Sequence, residues 1–255
     1  MKMKKLLLLF GVMGMLMFPS CNDDDDSYSL NNFWLSSGTV TKEVGSFYVT
    51  TDKGKKLWPS ASDISPSLLN DGMRVLVNYT ILGNTNPNST YDFYVKINDL
   101  SQILTKPVFE FTAETPAAVV DSIGKDAVSI VDAWFTGNYL NVEFEYGGGS
   151  TVHFINLVYD KENPMTDNGE LILELKHNKN NDEYNYLLWG IASFDVSSFK
   201  SENVTKVDFL VRSKGKDGEY SYNKIVSYQY GTPEASGLLK SNYMPSKESN
   251  FSTIK

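Results

Sequence analysis

The residue in this chain whose surroundings predict a definite covalent reaction is Cys21, the only cysteine in 255 residues. It lies between an uncharged apolar segment, residues 6–18, and four aspartates, residues 23–26. Lys2, Lys4 and Lys5 precede the apolar segment, which is the order of a secretory signal. A membrane-spanning helix needs about 20 apolar residues, and this segment is shorter than that. We therefore predict that residues 1–20 are a signal peptide and that the chain is exported.

Pro19 and Ser20 directly precede Cys21, and this arrangement resembles the lipobox of bacterial lipoproteins. The resemblance implies a diacylglycerol thioether on Cys21, further acylation such as palmitate on the new amino terminus, and a covalent partnership with the membrane. Each buried methylene of such chains contributes about 0.8 kcal/mol. A free thiol left after ordinary signal cleavage is the alternative.

The aspartates at 23–26 predict an extended, solvated tether over residues 21–32, because like charges repel one another. They also resemble an acidic signal that sends some lipoproteins of Gram-negative anaerobes to the cell surface. The predicted location is the outer membrane, with surface display preferred over the periplasmic face.

Candidates for acid–base or metal chemistry are few. The two histidines, His153 and His177, are far apart in sequence, and no second cysteine or short His/Cys spacing accompanies them. We predict that each is a structural histidine, and that the chain has no catalytic site, metal site or cofactor. Glu143 and Glu145 share one face of a predicted strand, so a carboxylate-dependent hydrolase is kept as an alternative beside the ordinary interpretation, a solvated strand face.

Two loops also have ordinary interpretations. Residues 178–183 offer oxygen ligands for calcium but lack the spacing of a calcium-binding loop, and a polar hairpin turn is predicted instead. The glycines at 147–149 do not precede a helix, so turn glycines are predicted rather than a phosphate-binding loop. Ser122, within Asp121-Ser122-Ile123, resembles a short acceptor for O-glycosylation of exported proteins.

Aromatic residues make up 13% of the chain and include Trp34, Trp58, Trp134 and Trp189. Most are expected in the core, although exposed rings could stack on a sugar or bury a peptide. The net charge of −8 provides no attraction for nucleic acid. The possible partners are therefore a protein, a peptide or a glycan outside the cell.

The elements that must position these residues are mainly strands. From residue 33 onward, β-branched and aromatic residues alternate with polar ones between turn formers, which predicts an all-β fold. Short strands around turns, including 52–55, and a helix-permissive piece at 66–69 predict a small OB-like barrel over 33–110. Six further strands between 139 and 230 predict an antiparallel β-sandwich over 111–232, with a one-turn helix at 195–199 and a flexible tail at 233–255.

Five segments together resemble the NigD-like lipoproteins. They are residues 71–79 (DGMRVLVNY), 139–142 (YLNV), 153–158 (HFINLV), 173–178 (LELKHN) and 193–198 (SFDVSS). That resemblance implies an N-terminal OB-type domain followed by a C-terminal β-sandwich, and a non-enzymatic binding or protective role such as bacteriocin immunity.

Overall fold

A computed structural model of the chain describes residues 30–201 and 204–229. The predicted signal peptide, the predicted lipidation residue Cys21, most of the predicted acidic tether and the predicted tail lie outside these residues. None of the helices within the described residues is long and apolar enough to cross a membrane.

The N-terminal part is a closed barrel with the strand order β1-β2-β3-β5-β4. Its strands are β1 (Trp34–Glu43), β2 (Ser46–Thr51), β3 (Lys56–Ala61), β4 (Arg74–Asn84) and β5 (Phe93–Gln102). A 3₁₀ turn, Pro66–Leu68, lies between β3 and β4. This is the arrangement of an OB-type barrel.

Alternation along the strands creates the barrel core. Every second residue of β4 from Val75 to Ile81 points inward with Val49, Leu57 and Val95. The predicted turn at 52–55 is confirmed, and Gly54 there has a φ of 78°. A second turn lies at Gly45, between β1 and β2, where φ is 76°.

The C-terminal part is a sandwich of two sheets and one short helix. One sheet has the order β14-β13-β11-β10-β7 and the other has the order β6-β12-β9-β8. The elements are β6 (Leu104–Pro107), β7 (Phe109–Phe111), α1 (Ala117–Ile123), β8 (Val128–Thr136), β9 (Tyr139–Gly148), β10 (Phe154–Asp160), β11 (Leu171–Asn178), β12 (Tyr186–Asp195), β13 (Lys206–Lys214) and β14 (Tyr220–Gln229).

The predicted fold class, an all-β chain with an OB-like barrel before a β-sandwich, is confirmed. The antiparallel description holds for most pairings of the sandwich, but β6 with β12, β7 with β10 and β11 with β13 are parallel pairs in the described chain. Parallel neighbours need long connections, so their pairing leaves no hairpin signal in the sequence. Strand β6 (Leu104–Pro107) pairs with β12 in the four-stranded sheet.

The barrel contacts the outer face of the four-stranded sheet through an apolar cluster that is separate from the cores of the barrel and the sandwich. Leu76 and Ile103 from the barrel side pack there with Trp134, Trp189 and Ile191. Two of the four tryptophans therefore connect the two β-domains instead of filling either core.

Candidate functional site

The structure places the predicted glycosylation residue, Ser122, in the last turn of α1. Its side chain is exposed and its hydroxyl donates to the carbonyl of Val119 at 2.7 Å. Exposure is compatible with modification, and glycosylation of Ser122 stays a prediction.

The two histidines, distant in sequence, form one hydrogen-bonded chain inside the sandwich. His153 Nδ1 lies 2.7 Å from His177 Nε2, and His153 Nε2 lies 2.9 Å from the carboxylate of Asp182. At the other end, His177 Nδ1 lies 2.9 Å from the carbonyl oxygen of Ala127. Both histidines are almost completely buried, with 0% and 1% of their surface exposed.

The strand register explains how the histidines meet. Ile155 on β10 lies opposite His177 on β11, and His153 is two residues before Ile155 on the same face. Diagonal neighbours on one face of an antiparallel pair are within reach of each other. The sequence could have predicted this contact. It would have been found by pairing the two predicted strands as a hairpin with their apolar residues facing inward.

The number of protons in the histidine chain follows from its three hydrogen bonds. The Ala127 carbonyl can only accept, so His177 carries a proton on Nδ1, and each of the next two hydrogen bonds needs one more proton. The chain from the Ala127 carbonyl to Asp182 therefore contains three protons, one in each hydrogen bond. Burial lowers the pKa of His177 to about 4, so this ring is neutral at neutral pH.

Asp182 also connects two loops. Its carboxylate accepts hydrogen bonds from the backbone N–H groups of Gly149 at 2.6 Å and Thr151 at 3.3 Å. The hydrogen bond from His153, followed by these backbone donors, holds the pKa of Asp182 well below its usual range. The loop at 178–183 is polar as predicted, but the predicted hairpin is wrong, because β11 and β12 lie in different sheets. The Asp182 side chain of this loop fixes the neighbouring β9–β10 loop.

The glycines at 147–149 serve close packing instead of a turn. A Cβ atom on Gly147 would lie 1.5 Å from the ring of Tyr184, and one on Gly148 would lie 2.7 Å from the ring of His153. Neither glycine has a positive φ. The prediction of turn glycines was therefore wrong for Gly147 and Gly148. Only glycine fits at these positions, because a side-chain ring packs directly against the backbone there.

Glu143 and Glu145 share a face of β9 as predicted, but the expected solvated surface was wrong for Glu143. It is 9% exposed, and its carboxylate accepts from the indole N–H of Trp189 at 2.6 Å. Burial, followed by the charges of Asp132 and Glu145, raises the pKa of Glu143, although the Trp189 hydrogen bond opposes this. The barrel covers this part of the sheet, which is why an acid on an outer face is buried.

Sequence reasoning missed the polar network that joins the two domains. Arg74 is 1% exposed, and its guanidinium donates to both carboxylate oxygens of Asp52, at 2.6 and 2.8 Å. It also donates to Asn141 at 2.6 Å and to Ser193 at 3.3 Å, both on the sandwich. Trp134 of the sandwich donates in turn to Asp52 at 3.0 Å.

The Arg74 network holds its charges in their ionised forms. Burial alone raises the pKa of Asp52, but the hydrogen bonds and positive charge of Arg74 outweigh burial, so that the pKa is lowered overall. The network is therefore an ion pair with its surrounding hydrogen bonds satisfied, which is the condition under which a buried charge is tolerated.

Among the clefts that the described residues form, two open on the sandwich. One, of about 410 Å³, lies between α1 and the five-stranded sheet and is lined by Phe111, Val120, Ile172, Lys176 and Arg212 among others. The other, of about 330 Å³, lies beside the histidine chain and is lined by residues including Val128, Glu145, His177, Lys179 and Tyr184. Within residues 30–201 and 204–229, no group of three or more His, Cys, Asp or Glu side chains could hold a metal ion.

The outer surface of the barrel carries a row of aromatic side chains across three adjacent strands. Val49 lies opposite Leu57, so the preceding residue of β2, Tyr48, lies beside Trp58 of β3. Trp58 in turn lies beside Tyr94 of β5 in a parallel pair. Tyr48 and Trp58 are half-buried and Tyr94 is 37% exposed. We call Tyr48, Trp58 and Tyr94 the aromatic row.

Models of two related domains match the chain. The NigD-like N-terminal OB domain matches residues 37–103, and the NigD-like C-terminal beta sandwich domain matches residues 110–226. No curated protein matches the sequence.

Solved structures from Parabacteroides and Bacteroides species share the fold. A Parabacteroides distasonis protein described as toxin-related is 31% identical, with a TM-score of 0.62 over 78% of this chain and 95% of that one. A Bacteroides caccae protein described as a NigD-like immunity protein is 22% identical, with a TM-score of 0.54 over 76% and 91%. A Bacteroides fragilis protein described as a lipoprotein is 11% identical, with a TM-score of 0.53 over 80% and 100%.

Proposed function

The chain belongs to the NigD-like family, and on that premise we propose that it is a lipid-anchored envelope protein that binds an extracellular partner and catalyses no reaction. The observation that carries this proposal is that the side chains best suited to acid–base chemistry are buried and make hydrogen bonds inside the protein. His153 and His177 hydrogen-bond to each other inside the core, and Glu143 is buried against Trp189. A hydrolase needs such groups facing a substrate.

Anchoring is assigned to Cys21, with the aspartates at 23–26 as spacer and sorting signal. The sulfur would bear the diacylglycerol, and the two β-domains would extend from the outer membrane into water. The description of the Bacteroides fragilis structural relative as a lipoprotein agrees with this arrangement. Surface display is proposed, with the periplasmic face of the same membrane as the alternative.

A Cys21→Ala variant tests the anchor directly. It should move from the membrane fraction to the soluble fraction after a salt wash, whereas the matched control Ser20→Ala should stay with membranes. A Cys21→Ala protein that remains in washed membranes would contradict the proposed anchor. Protease treatment of intact cells distinguishes the two faces, because a surface protein is degraded and a periplasmic one is protected.

The partner has two candidate classes. A protective, immunity-like role agrees with the description of the Bacteroides caccae relative, and deletion of the gene should then sensitise cells to a co-produced toxin. Unchanged survival would reject this role. An accessory role in binding a glycan or peptide is favoured by the aromatic row on the barrel, which is available at the surface without any rearrangement.

A further inference from the structure

We propose that the aromatic row binds the chain of an oligosaccharide, with sugar rings stacked on Trp58 and its neighbours. This inference rests on the proposed binding function and names the class of its ligand. The row crosses β2, β3 and β5, so its length is about two strand spacings, or about 10 Å. That length exceeds a single pyranose ring, so more than one sugar of a chain would contact it.

Tyr91, in the loop between β4 and β5, packs against two rings of the row. Its ring centroid lies 4.7 Å from that of Trp58 and 5.3 Å from that of Tyr48. The Tyr91 hydroxyl donates to the carboxylate of Glu43 at 3.0 Å. Rings that pack against one another in this way are held in fixed orientations, and a preorganised surface loses less conformational entropy when a ligand binds.

The location of the row agrees with the general use of OB-type barrels. These barrels bind oligonucleotides or oligosaccharides on the face of their second and third strands, together with the loops between strands one and two and between strands four and five. Tyr48 and Trp58 are on β2 and β3, and Tyr91 is in the β4–β5 loop. Glu43 ends β1 beside the remaining loop.

Charge decides between these two ligand classes. Charges of both signs lie beside the row: Lys56 Nζ is 5.7 Å from the centre of the Tyr48 ring, and Glu43 accepts from the Tyr91 hydroxyl. Lys55 is already paired with Asp92 at 2.9 Å. The whole chain carries −8, and phosphate contacts dominate the affinity of proteins for nucleic acid. The near balance of charge around the row suits hydroxyl groups better than a polyphosphate.

The closed barrel argues against an extended peptide as the ligand. Peptides commonly bind by adding a strand to a free sheet edge, where their backbone hydrogen bonds are satisfied. The barrel is closed by pairing of β1 with β4, so its strands offer no continuous free edge. A sugar needs only ring faces and nearby polar groups, both of which the row provides.

The test is a titration of the full-length protein in detergent with neutral hexasaccharides built on glucose, galactose, mannose or N-acetylglucosamine, followed by calorimetry. At least one should bind, with an affinity that changes little with salt. Trp58→Ala should weaken that binding by about tenfold, which corresponds to about 1.4 kcal/mol of lost stacking. The matched control is Tyr186→Ala, which removes a ring that is 68% exposed on β12, and it should bind as the unchanged protein does.

Tyr94→Ala is the second variant, because its exposed ring can be removed with little effect on folding, and it should also weaken binding. The inference is overturned if no hexasaccharide binds at millimolar concentration, or if both variants bind as tightly as the unchanged protein. It is also overturned if a deoxythymidine dodecamer binds instead with a steep salt dependence. Failure here would leave the anchoring test with Cys21→Ala unaffected, so the two proposals can fail separately.

Discussion

The Arg74 guanidinium and the Asp52 carboxylate form a bidentate ion pair, with N–O distances of 2.6 and 2.8 Å, at the contact between the two β-domains. The same guanidinium reaches Asn141 and Ser193 of the sandwich. Three of the five sequence segments that resemble the family meet here, because each contributes one of Arg74, Asn141 and Ser193. These three family-like segments therefore supply the residues that join the two β-domains.

The first prediction concerns this joint. Arg74→Met leaves the buried Asp52 carboxylate without its cation, and removal of one partner of a buried ion pair costs about 3–5 kcal/mol. Urea denaturation should show a loss of that order in the free energy of unfolding. Adding Asp52→Asn should recover part of the loss, since the amide oxygen still accepts from Ser37 and Trp134 while the charge is gone. A double variant no more stable than Arg74→Met would contradict this explanation.

The second prediction concerns pH and His177. Its pKa falls from 6.5 in the unfolded chain to about 4 in the folded protein, so between these values the unfolded state binds more protons. The contribution of His177 to stability is therefore complete above pH 6.5 and is lost as the pH falls toward 4. The loss over this window is roughly 3 kcal/mol.

Thermal unfolding between pH 4 and 7 measures this effect. His177→Asn removes the titrating ring, so the stability advantage of the unchanged protein over the variant should increase as the pH rises through the window. A constant difference between the two proteins would show that His177 does not titrate on unfolding as described.

The third prediction concerns the glycines of β9. Gly148→Ala would place a Cβ atom 2.7 Å from the buried ring of His153, which is fixed by two hydrogen bonds and cannot easily move. We expect a loss of about 1–3 kcal/mol, the usual cost of overpacking. Gly83→Ala is the matched control, because nothing lies within 4 Å of its added Cβ, and it should change stability by at most about 0.5 kcal/mol. Equal melting temperatures for the two variants would argue against this packing role.

The fourth prediction concerns Glu143. Burial, together with Asp132 and Glu145, raises its pKa, so the folded protein favours the protonated acid more than the unfolded chain does. Its contribution to stability is present at low pH and decreases as the pH rises through the folded pKa. Glu143→Gln keeps an oxygen for the Trp189 N–H and removes the charge, and it should therefore stabilise the protein at pH 8 more than at pH 4. Calorimetric melting at both values tests this, and a stabilisation that is larger at pH 4 would be the contrary result.

Local signals in the sequence account for most of the strands. Residues 74–82 and 139–146 alternate clearly and became β4 and β9, and the predicted one-turn helix became the 3₁₀ turn Ser197–Phe199. The Asp195 carboxylate accepts there from the Ser197 N–H at 2.8 Å. By contrast, β8 was missed because the pairing register shifts between Ile130 and Asp132, which interrupts the alternation. Helix α1 was missed because its two valines favour a strand.

The sequence by itself determined the fold class, the order of the two β-domains, the family resemblance and the prediction of a lipid on Cys21. These depend on patterns within a few neighbouring residues, which can be read without knowing what is adjacent in space. Only the tertiary structure decided which polar residues meet. Arg74 and Ser193 are 119 positions apart, and strand register alone brings His153 to His177. Hydrogen bonds form over about 3 Å, so they depend on positions that the whole fold must set.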